Sequence, residues 1–369
     1  MKRRVAFFAI APLLATCVGV TEERARRDEQ IGKGELSGAS FEVLGGLACI
    51  RRLEPGVLSL WAQAPVLRVR VRTTAGAPVD WTLTIDNTLP AATLETEIGP
   101  GEMPTIVPLS AARTTEKRWT VSLPPGIDAT LALRPAGGEP TGTWRFAVLS
   151  DIQEAIDRVQ DIFGRMNADP SIEFVASAGD LTTRGAPEQL ERFQRELERL
   201  TVPYFATLGN HELGSDDGAP FQSYFGRGNF HFVYGGLAFT FLDSASATID
   251  ARAYGWLTSW LDDGRDRIQV VLMHIPPIDP VGVRNGSFAD RNEAAKLLAK
   301  LAGGGVDLTL YGHIHTYYAF SNAGIQAHIS GGGGAIPERF DGIGRHYLTV
   351  DVDPRAGVLQ TGFVRIDGD

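Results

Sequence analysis

Five separate stretches of this sequence each place a side chain able to hold a metal ion or move a proton just after an apolar run. Asp151 follows "RFAVLS", Asp180 follows "FVASAG", Asn210 and His211 follow "YFATLG", His274 follows "VVLM", and His313 and His315 follow "LTLYG". Taken singly, an aspartate after a strand is a cap or turn residue, and a lone histidine is a satisfied structural side chain. Five such points in order, each at the carboxyl end of an apolar run, lie where open α/β sheets collect their ligands. Four of the seven histidines fall there, while His231, His328 and His346 read as structural. Carboxylate, amide oxygen and imidazole together suit two divalent ions of manganese, iron, zinc or nickel. One bridging carboxylate would hold such a pair, which activates water and neutralises a phosphoryl group, so phosphoester hydrolysis is the chemistry this set serves.

Positioning these side chains takes strands that alternate with helices. After "RFAVLS", Ile156, Val159, Phe163 and Met166 recur at helical spacing, and after "FVASAG", Leu190, Phe193, Leu197 and Leu200 do the same. With a further helix over Asn292 to Leu301, residues 144–369 are predicted to form an α/β domain whose inner strands are largely parallel. Upstream the period is two: Leu67, Val69 and Val71 alternate with Arg68, Arg70 and Arg72, and Trp81, Leu83 and Ile85 with Thr82, Thr84 and Asp86. Residues 38–134 are therefore predicted as a small antiparallel β-sandwich, with the arginine row on its solvated face. The turn-rich stretch 135–143 reads as the linker, and the polar, charged stretch 21–37 as a tether.

Composition agrees with two globular domains: 369 residues, 43% hydrophobic and 21% charged. Acidic residues outnumber basic ones 44 to 35, and the net charge of -9 argues against a nonspecific grip on a nucleic-acid backbone or an anionic bilayer, while leaving room for a local basic pocket. Lys2, Arg3 and Arg4 before a short apolar run give residues 1–20 the layout of an export signal, too short to be a permanent membrane span. "LATC", ending at Cys17, is similar to a bacterial lipobox, so lipidation of Cys17 and simple cleavage nearby are both open. The expected location is periplasmic, secreted or membrane-anchored. Cys49 is the only other cysteine, so no disulfide framework exists, and Cys49 reads as a small buried residue.

The segments "SDIQ", "AGDLTTRG", "LGNHE", "MHIPP" and "YGHIHTYY" resemble, in order, the five motifs of the calcineurin-like metallophosphoesterases, over about Trp144 to Asp369. The resemblance implies a sandwich of two β-sheets with helices outside and a dinuclear metal site. Carried over, Asp151, Gln153 and His315 would hold the first ion, Asp180 would bridge, and Asn210, His274 and His313 would hold the second. His211 would face the substrate as general acid, and Glu212 or Asp243 would orient the histidines. Gln153 departs from the family, which has histidine there; its carbonyl oxygen can coordinate, though more weakly. This Asp-x-Gln motif also resembles the manganese-dependent ADP-ribose/CDP-alcohol diphosphatase branch, whereas Thr183 replaces the ligating tyrosine of the purple acid phosphatases. "SGGGGAIPERF", residues 330–340, reads as a set of tight turns, and Arg184, Arg227 and Arg284 are candidates for phosphate contacts. The expectation is a working phosphomonoesterase or phosphodiesterase acting on a small phosphorylated substrate. A nucleotide-diphosphate pyrophosphatase and a non-catalytic phospho-ligand-binding module are the alternatives, and no protein partner follows from the sequence.

Overall fold

The structure is a computed structural model that describes residues 15–97, 103–214, 216–282 and 286–366, with side chains from residue 21 onward. Residues 1–14 and the Cys17 side chain, on which the export and lipidation expectations rest, lie outside the described residues.

The front domain is a sandwich of two five-stranded sheets. One runs Lys33–Leu36, Ala39–Val43, Leu67–Thr73, Asp128–Pro135, Ala92–Glu97; the other runs Ala48–Glu54, Val57–Ala62, Asp80–Asp86, Glu116–Ser122, Thr105–Leu109. Pairing is antiparallel except between Val57–Ala62 and Asp80–Asp86. Leu67, Val69 and Val71 face inward and are buried against the layer that carries Trp81, Leu83 and Ile85. The arginines between them are solvated and ion-paired along the sheet: Arg68 with Glu97, and Arg70 and Arg72 with Asp128. Exposed pairs of this kind contribute little stability; they keep an outward face soluble. Cys49 is buried and reduced, and burial pushes its thiol up to about 12, which makes it inert.

The second domain layers a five-stranded sheet, ordered Tyr204–Ala206, Ile172–Ser177, Trp144–Val148, His346–Asp353, Val358–Arg365, on a six-stranded one. The latter runs Phe230–Tyr234, Leu237–Leu242, Ile268–Met273, Leu308–Tyr311, Ile325–Ser330, Tyr317–Asn322. The inner pairs are parallel; four are joined by crossover helices, and Leu308–Tyr311 is joined to Ile325–Ser330 through the edge strand Tyr317–Asn322. Phe146, Phe174, Phe232 and Phe239 fill the space between the sheets, with ring centroids 5.1 to 5.4 Å apart for the contacts to Phe239. Among the described residues, six α-helices accompany the sheets: α1 Ala15–Gln30, α2 Gln160–Asn167, α3 Pro187–Leu197, α4 Ala219–Tyr224, α5 Ala251–Asp263 and α6 Arg291–Gly303. α3 starts on a proline and buries Leu190, Phe193 and Leu197. Asp250 and Asp290 cap α5 and α6 by accepting hydrogen bonds from the amides of Arg252 and Asn292.

The expectation of a tether over 21–37 does not hold. α1 occupies most of that stretch, and the first strand of the sandwich already begins at Lys33. The buried face of α1 is polar: Arg24 and Asp28 are each 1% exposed. Arg24 donates to Asp243 at 2.7 Å, to Asp217 and to Ser246 at 2.9 Å. Asp28 accepts from the Gln222 side chain, the amides of Gly228 and Asn229, and the Asn229 side chain. A charged inner face leaves no apolar periodicity to read, which is why the sequence looked unstructured there.

The front domain also docks on the second. The Asn87 side chain donates to Tyr204 O and accepts from Tyr204 N, and Gln63 makes the same paired contact with the Arg227 backbone. Replacing Arg24 would leave Asp243 buried without its partner. Arg24→Ala should therefore lower the unfolding free energy by about 3 kcal/mol, read from the urea midpoint at unchanged slope.

Candidate metal centre

Four of the residues singled out in the sequence, Asp151, Gln153, Asp180 and His313, have left-handed backbone, with φ of 60°, 47°, 54° and 70°. Such a conformation costs about 1–3 kcal/mol per non-glycine residue and concentrates at functional sites. Here hydrogen bonds between the strand-end loops hold it. Asp151 N donates to Gly179 O, Ile152 N and Gln153 N both donate to Asp180 O, and Gly312 N donates to His274 O.

The carboxylates are gripped by backbone as well. His313 N donates to both oxygens of Asp151, at 2.9 and 3.1 Å, and His211 N donates to Asp180 at 2.9 Å. Gly209 and Gly312 make room for this: a Cβ at either position would collide with the Asp180 or Asp151 carboxylate. Glu212, fully buried, accepts from the amides of Asp180, Thr182 and Gly209 and from the Thr182 hydroxyl. It therefore clasps the loop of Asp180 to the loop of Asn210.

This corrects one expectation. Neither Glu212 nor Asp243 orients a histidine, since Asp243 is the partner of Arg24. Backbone carbonyls do that work. Nδ1 of His274 lies 2.9 Å from Ala178 O, Nδ1 of His211 2.7 Å from Thr183 O, and Nδ1 of His315 2.6 Å from Ile336 O. Each ring thereby keeps its proton on Nδ1 and turns Nε2 away from that carbonyl. No sequence pattern marks which carbonyl a ring will find.

The remaining atoms converge. His274 Nε2 lies 3.0 Å from Asn210 Oδ1 and 3.2 Å from Asp180 Oδ2, and His315 Nε2 lies 3.5 Å from Asp151 Oδ1. The His313 ring meets the His274 ring edge-on at 5.1 Å. Ligand atoms of Asp151, Asp180 and His274 all lie within 4.8 Å of one another. Gln153 is buried in the same cluster, with its side-chain nitrogen 2.8 Å from Asp180 Oδ2 and 3.3 Å from His315 Nε2. In that orientation it is a hydrogen-bond donor; turning the amide over would present its oxygen instead.

Burial raises the Asp151 carboxyl against the pull of His274 and His315. Burial would raise Asp180 too, but His274 and His211 outweigh it and hold that carboxyl below its usual range. Burial would lower His274, yet Asp180 outweighs it and brings the imidazole up to about 9. Carboxylates side by side in a low-dielectric setting favour positive charge between them, and the donors are oxygen and imidazole. The set fits two divalent ions, with Asp151, His315 and a turned Gln153 able to hold one, Asn210, His274 and His313 the other, and Asp180 both.

Three arginines were candidates for phosphate contacts. Arg184 lines a cleft beside His211. Arg227 does not reach the centre: it packs against Gly46 at the junction with the front domain. Arg284 lies outside the described residues. The glycines of 330–340 are more than turns, because Gly333 N donates to Ser150 O and Ala335 N to Asp151 O, which ties that loop to the first carboxylate. His231, His328 and His346 stand elsewhere, hydrogen-bonded to Thr240, Gln326 and Gly344 O respectively.

Below a pKa of about 9 the metal-free His274 carries a proton that a metal ion must displace. Manganese binding at pH 7 should therefore release protons, and its affinity should rise with pH and level off near 9, as read by calorimetry in buffers of different ionisation enthalpy. Gln153→His, which supplies an imidazole in place of the amide, should tighten the weaker ion about tenfold in the same titration.

A family model described as calcineurin-like phosphoesterase matches residues 145–317. Among curated proteins, a 3',5'-cyclic-nucleotide phosphodiesterase from Nostoc sp. is 27% identical over 160 residues, covering 40% of this chain and 57% of that protein. The match thus spans little more than half of that relative's length. Among solved structures, GAP50, the anchor in the inner membrane complex of Plasmodium, superposes with a TM-score of 0.47 at 17% identity, covering 61% of this chain and 85% of that one. A dimetal phosphatase from Danio rerio gives 0.44 at 14% identity, covering 62% and 100%. The stretch that delivers the donors of this centre from five strand ends, residues 145–317, is thus the stretch that matches the calcineurin-like phosphoesterase family model.

Proposed function

We propose that this chain is a metal-dependent phosphoester hydrolase that acts on phosphodiesters outside the cytoplasm. One observation carries the reading. Ligand atoms of Asp151, Asp180 and His274 lie within 4.8 Å of one another, Asn210 and His315 each reach one of them within 3.5 Å, and His211 stands beside them with Nε2 3.9 Å from Asp180, at the wall of a cleft of about 560 Å³. That volume is in the range of small-molecule sites, about 300–1,000 Å³. Thr183, Arg184, Leu213, Gly214 and Pro220 line it, giving an organic group both apolar and polar contacts.

Divalent ions held by the cluster would supply an activated water and neutralise charge on the phosphoryl group. The chain's own residues do the rest. The Thr183 carbonyl fixes the proton on Nδ1 of His211, so Nε2 is the atom that exchanges one. Positioned over the cleft, it delivers a proton to the oxygen of the departing group. Asp180 stays ionised because His274 and His211 stabilise its charge. The similarity to the Nostoc 3',5'-cyclic-nucleotide phosphodiesterase supports a diester. The basic and then apolar first residues support export, with Cys17 as the lipidation point if the mature protein is anchored.

Metal-stripped protein should hydrolyse bis(p-nitrophenyl) phosphate only after manganese, zinc, nickel or iron(II) is restored. His211→Ala should lower kcat about 100-fold while metal content is retained. Bound metal without turnover of mono- and diesters would favour the non-catalytic binding module, and full activity in His211→Ala would remove His211 from the role of acid.

A further inference from the structure

A second, smaller cavity of about 140 Å³ opens against His315, whereas the larger cleft opens against Asn210 and His211. Its walls are the glycine loop, Pro337 and two arginines, Arg158 and Arg345, and among the described residues no acidic side chain lines it. The larger cleft, by contrast, carries Glu188 and Asp216. Arg345 is anchored by two bonds to Asp161, at 2.6 and 3.1 Å, and donates to the Arg158 carbonyl. Arg158 is exposed, and its guanidinium has no acidic partner among the described residues.

The loop supplies further donors. Gly331, Gly333 and Ala335 donate their amides to Thr316, Ser150 and Asp151. The intervening amides, of Gly332 and Gly334, have no acceptor among the described residues, and both glycines line the cavity. A space of 140 Å³ is the room of about five waters. A nucleoside is too large for it; a single tetrahedral anion fits, and two arginines favour an anion there.

We infer that this cavity is a subsite for a second phosphate group of the substrate, with Arg158 as the residue that determines its preference. A substrate would then place one phosphoryl group at the metal centre, its organic group in the cleft beside His211, and an adjoining phosphate against Arg158 and the Gly332 and Gly334 amides. Arginine suits this role because its planar fork meets phosphate oxygens in pairs. The hydrolytic step is unchanged, and the inference rests on the centre being a phosphoryl site.

Calorimetry on the manganese-loaded full chain, with unbound metal dialysed away, tests it with two non-hydrolysable probes. Wild-type protein should bind methylenediphosphonate about tenfold more tightly than methylphosphonate. Arg158→Ala should bring the ratio below about threefold while methylphosphonate affinity and manganese content hold, and Arg158→Lys should restore part of the preference. An unchanged ratio in Arg158→Ala, or an equal loss for both probes, would overturn the subsite and leave the phosphoester reading standing. Failure of wild-type protein to bind either probe would overturn the phosphoester reading and the subsite with it.

Discussion

Three carboxylates, Asp151, Asp180 and Glu212, are buried together at the strand ends, and the surrounding chain is arranged around tolerating them. Burying an unpaired charge is prohibitive, so each must be held by donors or by opposite charge. Glu212 takes four donors from two loops, Asp151 takes the His313 amide, and Asp180 takes the His211 amide and the His274 ring. Those bonds force the loops through left-handed backbone at Asp151, Gln153, Asp180 and His313. The strain thus falls on four of the candidate metal-holding residues, whose oxygens and nitrogens are held in place by the surrounding bonds.

The rim of the centre depends on parts of the chain far away in sequence. α1 reaches Asp217 and Asp243 through Arg24, and Gln222 through Asp28, while Gln63 of the front domain holds the backbone at Arg227. The stretch 216–228, which borders the cleft at His211, is therefore held from two directions. A helix that looks like a tether and a sandwich that looks like an appendage both pack against the stretch that borders the cleft.

Much of this was legible from residue types alone. Strand-end Asp, Asn and His are few and ordered, and the apolar periods of 2 and 3.6 separated the two domains because their faces are apolar. α1 was missed because its buried face carries Arg24 and Asp28, and charge burial leaves no hydrophobic signature. The carbonyls of Ala178, Thr183 and Ile336 that orient the rings were missed because every residue has a carbonyl. Assigning that work to Glu212 or Asp243 was reasonable from charge, but Glu212 is engaged by amides and Asp243 by Arg24. Gln153 was legible as a departure; that its amide faces Asp180 with nitrogen rather than oxygen required the geometry.

The central claim is that Asp180 lies between two ion positions. Metal content per chain, measured by inductively coupled plasma mass spectrometry on wild-type protein and Asp180→Asn after equilibration with manganese, tests it most directly. The account predicts two ions in the wild type and loss of the pair in Asp180→Asn, with the thermal transition of the metal-free variant still cooperative. Two ions retained by Asp180→Asn, or none bound by folded wild-type protein, would contradict it.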